Sequence, residues 1–280
     1  MKKLLSLVLA VLMLTGCVLA FASCGPKLNF GKQFKVAKDQ VTVLFELNAK
    51  TIDVGVMDSI MAGWYMSQDS TYANTLQIVP NLTLATEKYG IAARKGSGLT
   101  KMINKALIEL ANDGTVNTLA EKYGIASEVC IDTTINVAEL TEAEKADWNY
   151  IKNSGKLIIG YTDFAPISWD NGQELVGFDV ELAKAVCVKL GLTPDFQLID
   201  WNAKEAKLNG KAIDCIWNGM TITPERSAAM EISIPYLNNK QVAVIRKEDA
   251  AKYTDTASMS EAIIGAEGGS AGESCVVAEK

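Results

Sequence analysis

The fold is decided by residues 177–187, which read Gly-Phe-Asp-Val-Glu-Leu-Ala-Lys-Ala-Val-Cys. Here and just beyond, apolar residues recur at spacings of three and four: Val180, Ala183, Cys187 and Leu190. This stripe predicts an amphipathic helix over 179–190 that ends at a glycine. The apolar run at 156–161, which contains two isoleucines, is typical of a β-strand that comes before this helix.

Outward from this segment, the same two patterns alternate along the chain. Further runs typical of strands lie at 41–47, 52–57, 214–217 and 241–246. A second helical stripe covers 99–110 and ends at an Asp-Gly pair, and the charged segment 139–152 indicates a solvated helix or linker. Strands that alternate with helices predict an α/β fold.

The composition of the 280 residues indicates an ordinary globular protein of about two domains, with 49% hydrophobic and 21% charged residues. Lys and Arg number 27 against 33 Asp and Glu, so the net charge is −6 and no basic field attracts nucleic acid. The sequence contains no histidine, which removes the commonest general base and the commonest transition-metal ligand. We therefore expect no metal site, no cofactor and no nucleic-acid partner.

The first residues have the pattern of a bacterial export signal. Lys2 and Lys3 precede an uncharged run over 4–22, and small residues stand before both Cys17 and Cys24. Either cysteine fits a lipoprotein cleavage site, and the residues around them do not choose between the two. We predict that residues 1–23 form a lipoprotein signal and the start of a tether, not a membrane-spanning helix. A lipidated cysteine would then anchor the protein at the outer face of the cytoplasmic membrane.

The other four cysteines lie in or beside apolar segments. Cys187 and Cys215 are within such segments, whereas Cys130 and Cys275 are near segment ends. We expect four small buried or half-buried thiols. Export would permit a disulfide, but the spacing assigns no pairing.

Residues 177–187 resemble the signature of the extracellular solute-binding proteins of ABC amino acid importers (family 3). Further segments resemble that family in its usual order: a strand and aromatic loop at 160–166, then 199–201, a carboxylate-binding segment at 219–226 and a second-lobe turn at 268–273. Segments that usually come later in the family lie at the front here, at 52–58 and 89–96. The chain therefore resembles a circular permutant in which 129–150 joins the usual end to the usual start. A partial tandem gene is the alternative.

The resemblance implies an α/β, two-lobed fold like that of the type II periplasmic binding proteins, with a hinge of two strands. Lobe two would be split between the chain ends, 28–88 and 247–280. Lobe one would occupy 89–246, with hinge strands at about 89–94 and 241–246. Permutation is tolerated where chain termini lie at the surface, so the rearrangement is physically plausible.

A free amino acid carries an ammonium and a carboxylate on one carbon, so a receptor needs an anion and a bidentate cation, both partly desolvated. The resemblance gives these roles to Asp58 and Arg226. It also implies that Thr221 and main-chain N–H groups near Gly219 and Ser270 help to hold the carboxylate. One ligand would thus bridge the two lobes and stabilise a closed form.

The resemblance implies further ligand contacts on both sides of the cleft. Phe164 and Trp201 would form apolar walls around the ligand side chain. Asn218 is a candidate for the specificity contact, and Ala271 belongs to the second-lobe turn. The loop before Phe164 is one residue shorter than the common family pattern, which leaves a contact from Asp163 open.

These expectations describe a monomeric, lipid-anchored binding protein, not an enzyme, that captures a free amino acid between two lobes and delivers it to an ABC transporter permease. Three alternatives stay open: an amino-acid sensor module without transport, a dehydratase-type enzyme on the same scaffold, and a lipoprotein whose pocket has decayed. Neighbouring permease and ATPase genes would favour transport over sensing. Which amino acid binds is not determined by the sequence.

Overall fold

The computed structural model describes residues 27–278, so the predicted signal and both candidate lipidation cysteines, Cys17 and Cys24, lie outside the described residues. The strands are β1 (Gln33–Ala37), β2 (Val54–Asp58), β3 (Leu76–Arg94), β4 (Lys156–Tyr161), β5 (Trp169–Asp170), β6 (Leu175–Val176), β7 (Thr193–Leu198), β8 (Cys215–Thr221), β9 (Met230–Ile232), β10 (Leu237–Arg246) and β11 (Ile263–Glu267). The α-helices are α1 (Gln40–Asn48), α2 (Ser59–Gln68), α3 (Ser70–Thr75), α4 (Leu99–Asn112), α5 (Thr115–Lys122), α6 (Glu142–Ser154), α7 (Phe178–Leu190), α8 (Lys204–Asn209), α9 (Pro224–Ala229) and α10 (Ala271–Val276). Over 27–278, none of these helices has the length and apolar character needed to cross a membrane.

Nine of the strands in the described part of the chain form one sheet, in the order β1-β11-β2-β10-β3-β8-β4-β7, with β9 paired to β3. Its middle is antiparallel, because β10 pairs with β2 and β3, and β3 pairs with β8. The pairing is parallel on both sides of this middle: β1, β11 and β2 form one group, and β8, β4 and β7 form the other. With helices packed against the strands, the architecture confirms the predicted α/β class.

Two long strands connect the two parallel groups. β3 and β10 pair with each other from Leu237 opposite Tyr89 to Arg246 opposite Leu76. The predicted hinge segments, 89–94 and 241–246, are the C-terminal parts of these two strands. The bounds of the two lobes stay a prediction.

Both ends of the described chain enter the same edge of the sheet. β1 lies parallel to β11, with Gln33 opposite Ile263. Just outside these strands, the main-chain N–H of Asn29 donates to the carbonyl of Val276 at 2.7 Å. Segments far apart in the sequence therefore build one layer.

The two helices with the clearest apolar stripes form as predicted. α4 buries five apolar side chains of its stripe: Leu99, Ile103, Ala106, Leu107 and Leu110. α7 buries Val180, Ala183 and Cys187 and ends at Gly191, whose φ of 68° suits glycine. Because α7 packs on β7 and on α4, it joins the sheet to the helical layer.

The strand predicted at 41–47 is wrong, because this segment forms α1. The carboxylate of Asp39 caps the helix by accepting a hydrogen bond from the N–H of Thr42 at 2.7 Å. The buried residues Val43, Leu44 and Leu47 are spaced as on one helix face. A run of apolar residues this short does not distinguish a strand from a buried helix.

The charged segment 139–152 is helical rather than a linker, but it is not solvated on every side. Thr141 and Glu144 form a reciprocal capping box at the start of α6. Trp148 and Ile151 are buried against the rest of the protein. The charged residues are therefore the outer face of a packed helix.

The four cysteines of residues 27–278 are free thiols, two buried (Cys187 and Cys215) and two half-buried (Cys130 and Cys275). This confirms the expected state of these side chains. Burial raises the pKa of Cys187 to about 12, so its thiol stays protonated and unreactive.

A buried arginine ties α6 to the sheet. At the end of β3, Arg94 donates from Nε to Asp147 of α6 at 3.0 Å and from a terminal nitrogen to Asp214 at 3.0 Å. It also donates to the carbonyl of Ile213 at 2.8 Å. Since Arg94 and Asp214 are both buried, neither charge has water as an alternative partner.

We expect Arg94→Ala to lower the free energy of unfolding by about 3–5 kcal/mol, because it leaves a buried carboxylate without its partner. Urea denaturation followed by circular dichroism measures this loss. Lys105→Ala is the matched control, since its ion pair with the exposed Glu139 contributes at most about 1 kcal/mol. Equal losses in the two variants would contradict the prediction.

Candidate ligand-binding cleft

A cleft lies between the two parallel groups of strands and the loops at their ends. It is lined by Gln40, Asp58, Met61, Thr162, Asp163, Phe164, Trp201, Asn218, Gly219, Thr221, Arg226, Glu267, Ser270 and Ala271. All nine ligand-binding residues predicted from the sequence are among them, so the fold brings the predicted set together. That they bind a ligand stays a prediction. The cavity is narrow, about 20 Å³, which is the space of one or two water molecules.

Arg226 supplies a cation to the cleft from the first turns of α9. Its guanidinium donates to the carbonyl of Thr221 at 2.8 Å and to that of Gly269 at 3.1 Å, and it lies 5.8 Å from the centre of the Trp201 ring. Burial lowers its pKa, and the carboxylates of Glu87 and Asp58 act in the opposite direction. A guanidinium has five N–H donors, so an anion in the cleft can still bind to it.

Asp58, the predicted ammonium partner, is buried at the end of β2 and already has several hydrogen-bond donors. Its carboxylate accepts from the hydroxyl of Tyr89 at 2.7 Å, from the amide of Gln241 at 2.9 Å, and from the amides of Gln40 and Asn239. Burial, and then the nearby carboxylate of Glu87, raise its pKa well above the usual range. An ammonium bound here would share Asp58 with these donors.

Glu87, on β3, forms a second carboxylate beside Asp58. It accepts from the same two amides, that of Gln241 at 2.8 Å and that of Asn239. It also accepts from the hydroxyl of Thr221 at 2.9 Å. Because a hydroxyl carries one hydrogen, Thr221 can donate to a ligand carboxylate only by releasing Glu87.

Gly219 lies where the cleft wall comes closest to two aromatic rings. Its φ is 58°, and a Cβ at this position would lie 2.7 Å from Phe164 and 3.0 Å from Tyr89. Its N–H donates to the buried carboxylate of Asp179 at 2.9 Å, and the hydroxyl of Tyr236 donates to the same oxygen at 2.8 Å. Asp179 therefore holds the main chain of the cleft wall from behind.

The two main-chain donors nearest the predicted carboxylate site are used within the protein. The N–H of Gly219 binds Asp179, and the N–H of Ser270 donates to the carbonyl of Glu267 at 3.3 Å. The hydroxyl of Ser270 donates to that carbonyl too, at 2.7 Å. Of these predicted donors, Arg226 is the one that has further N–H groups for an anion in the cleft.

Asn218 and Phe164 are held in the cleft wall by contacts with neighbouring side chains. The amide of Asn218 donates to the hydroxyl of Thr162 at 2.6 Å and accepts from the hydroxyl of Ser168. Phe164 is buried against Tyr89, with 6.4 Å between the ring centres. The predicted apolar walls are therefore buried rings at the edge of a hydrogen-bonded loop.

The carbonyl of Gly269 connects the two sides of the cleft. It accepts from the indole N–H of Trp201 at 3.2 Å, from Arg226 at 3.1 Å and from Lys204 at 3.5 Å. The three donors belong to segments that follow β7 and β8, whereas Gly269 lies two residues after the end of β11. The side chain of Trp201 therefore contributes a bridging hydrogen bond as well as an apolar surface.

Four lining residues were not identified from the sequence: Gln40, Met61, Thr162 and Glu267. Gln40 comes directly before the segment 41–47. Because that segment was predicted as a strand, the position of Gln40 at the start of α1 was not foreseen. Glu267 comes directly before the turn segment 268–273, and only its acidic character in an apolar strand could have pointed to it. The role of Asp179 was also missed, although it lies in the segment 177–187.

Comparisons with known proteins identify one part of the chain. Residues 157–264 match the family described as bacterial extracellular solute-binding proteins, family 3. The arginine-binding extracellular protein ArtP of Bacillus subtilis is 38% identical over 94 residues, which cover 33% of this chain and 37% of that protein. The L-cystine-binding protein TcyJ of Escherichia coli (strain K12) is 32% identical over 108 residues, or 38% of this chain and 40% of that protein. The chain thus spans about two fifths of the length of these curated relatives.

Solved structures give a similar partial match. The arginine-bound form of domain 1 from TmArgBP is 34% identical and is covered over 88% of its length by 36% of this chain, with a TM-score of 0.31. A substrate-binding protein of an ABC uptake transporter from Streptococcus pneumoniae, with bound histidine, is 38% identical. That match covers 30% of this chain and 35% of the other, with a TM-score of 0.29.

The carboxyl of Asp179 should make stability depend on pH. Burial raises its pKa to about 7, so between pH 4 and pH 7 the folded protein keeps a proton that the unfolded chain releases. The free energy of unfolding therefore falls as pH rises, by about 2–3 kcal/mol from pH 5 to pH 8 for this group. Glu267, whose pKa burial also raises to about 7, adds to the fall.

We expect Asp179→Asn to reduce this pH dependence by about 2 kcal/mol, because an amide does not titrate in this range. Urea denaturation of the wild type and the variant at pH 5 and pH 8 measures the difference. Unchanged pH dependence in the variant would show that Asp179 is ionised in the folded protein at pH 5.

Proposed function

We propose that this chain, whose residues 157–264 match family 3 of the bacterial extracellular solute-binding proteins, binds a free amino acid in its cleft and delivers it to the permease of an ABC transporter. One observation carries the proposal: a guanidinium and a carboxylate, those of Arg226 and Asp58, line the same cleft. These are the two charges that the carboxylate and the ammonium of an amino acid require. The names of the arginine- and cystine-binding relatives support the same class of ligand.

In this proposal the ligand enters with its carboxylate towards Arg226. The guanidinium already has its orientation fixed by the carbonyl of Thr221 at 2.8 Å, so little freedom is lost when the ligand binds. The ammonium lies beside Asp58 and shares it with the surrounding amides. Phe164, which is buried at the edge of the cleft, provides an apolar surface for the ligand.

Ligand binding is proposed to stabilise closure. The cleft has a volume of only about 20 Å³, so its two sides must separate to admit an amino acid. Asp58 ends β2 in one parallel group of the sheet, whereas Arg226 lies on α9, which follows β8 of the other group. A ligand bound to both favours the closed arrangement by its differential affinity. The closed form would be what the permease recognises.

The proposal places the protein outside the cytoplasm, consistent with the family of extracellular proteins that residues 157–264 match. The signal pattern over residues 1–23, with Cys17 or Cys24 as the lipidated residue, supports an anchor at the outer face of the cytoplasmic membrane. We propose a monomer that acts by binding, with no catalytic step.

A circularly permuted order of the two lobes is part of the proposal. The order of the family-like segments supports it, with 52–58 before 160–166. The parallel pairing of β1 with β11 also supports it, because one group of strands is built from both ends of the chain. Lobe two would then comprise 28–88 and 247–280, and lobe one 89–246.

We expect Arg226→Ala and Asp58→Asn each to weaken amino-acid binding by at least about thirtyfold. Loss of one charge leaves its partner group on the ligand desolvated without compensation, which costs about 2–5 kcal/mol. Isothermal titration of the purified protein against the twenty amino acids, ornithine and cystine measures the affinities.

Lys145→Ala is the matched control, since it removes an exposed cation of α6 that does not line the cleft. The control should bind like the wild type. Wild-type affinity in Arg226→Ala would remove the carboxylate site, and no heat with any amino acid would contradict the proposed function.

A further inference from the structure

Glu267 is a buried carboxylate of the cleft that the amino-acid proposal does not use. It is the last residue of β11, its side chain lines the cleft, and only 7% of its surface is exposed. Among residues 27–278 its carboxylate forms no ion pair within 4.0 Å, and a hydrogen bond from the side chain of Gln40 lowers its pKa. A buried carboxylate without an ion-pair partner is costly, because burial disfavours the charged form.

The polar groups around Glu267 are engaged with other residues. The amide of Gln40 donates to Asp58. The ammonium of Lys204 donates to the carbonyls of Trp201 at 3.2 Å and Gly269 at 3.5 Å, and it lies 4.6 Å from the centre of the Trp201 ring. Burial raises the pKa of Glu267 to about 7, with Asp39 acting in the same direction and Gln40 and Lys204 opposing it. These neighbours only partly offset the burial of the charge.

The charges that line the cleft do not balance. Three carboxylates, those of Asp58, Asp163 and Glu267, face one guanidinium, that of Arg226. The carboxylate and the ammonium of an amino acid add no net charge. A cationic side chain would favour the ionised form of these carboxyls, which burial disfavours, whereas a neutral side chain would give them no such partner.

Glu267 has different charged neighbours from Arg226. The charges that act most on the pKa of Arg226 are those of Glu87 and Asp58, whereas those that act on the pKa of Glu267 come from Asp39, Lys204 and Asp200. Gln40 lies between Asp58 and Glu267, since its amide donates to Asp58 and its hydrogen bond also lowers the pKa of Glu267. The carboxyl of Glu267 is therefore near the proposed ammonium site but has its own set of charged neighbours.

We infer that the cleft selects an amino acid with a cationic side chain, whose distal cation pairs with Glu267. This inference rests on the proposed function and names the ligand class for the same cleft. The side chain would extend from the Arg226 and Asp58 end of the cleft past the Trp201 ring to the end of β11.

The test compares ligands that differ in the distal charge and are otherwise close in shape. Lysine is paired with norleucine, and arginine with citrulline, in isothermal titrations of the wild type, Glu267→Gln and Glu261→Gln. The last variant is the matched control, because it makes the same change at a residue whose side chain is 81% exposed. We expect the wild type to bind at least one cationic ligand more than tenfold better than its neutral counterpart. Glu267→Gln should lose most of this preference, and Glu261→Gln should keep it.

The ratio of the wild type's affinities for the two ligands of each pair tests the inference even if Glu267→Gln fails to fold. Equal affinity for both members of each pair would overturn the inference and leave amino-acid binding intact. An unchanged preference in a folded Glu267→Gln would also overturn the role of Glu267. No binding of any amino acid would overturn the proposed function together with this inference.

Discussion

The antiparallel pairing of β3 with β10 is the constraint on which the rest of the structure depends. On its other edge β10 holds β2, which ends at Asp58, and β3 holds β8, which carries Gly219 and Thr221. The two parallel groups of strands are joined in the sheet only through these two strands among residues 27–278. The main-chain ladders therefore determine where the cleft lies, and the side chains determine what it can bind.

Side chains of β2, β3 and β10 link the acidic groups of the cleft to the pairing of β3 with β10. Asp58 of β2 and Glu87 of β3 accept from the same two amides, those of Asn239 and Gln241 on β10. Burial, and then the nearby carboxylate of Glu87, raise the pKa of Asp58. In the proposed function, a cation bound in the cleft would relieve this repulsion at the point where the two parallel groups of the sheet meet. The charge of the ligand would then be linked to the relative position of these groups.

Local patterns predicted the elements, and motif order predicted which residues meet. The stripe over 99–110 and the run at 156–161 were correct because spacing alone reports burial on one face. Short family-like segments led to nine predicted residues that are all among the fourteen that line the cleft, and their binding role stays a prediction. The strand predicted at 41–47 was wrong because a short apolar run fits either a strand or a buried helix. The cap by Asp39 that starts the helix is seen only in the structure. The hydrogen bonds of Gly219 to Asp179 and of Thr221 to Glu87 were not foreseen, since they join residues whose separation in the sequence has no periodic meaning.

The parallel pairing of β1 with β11 has a consequence for the order in which the protein is made. β11 lies between β1 and β2, so during synthesis β1 has no neighbour in the sheet until residues 263–267 emerge. Both edges of β2 stay open until β10, at 237–246, is made, and one edge stays open until β11 follows. Open strand edges are templates for pairing with other chains. The half-made chain therefore exposes strand edges of β1 and β2 that are paired in the finished sheet, and it carries a greater aggregation hazard than the finished protein.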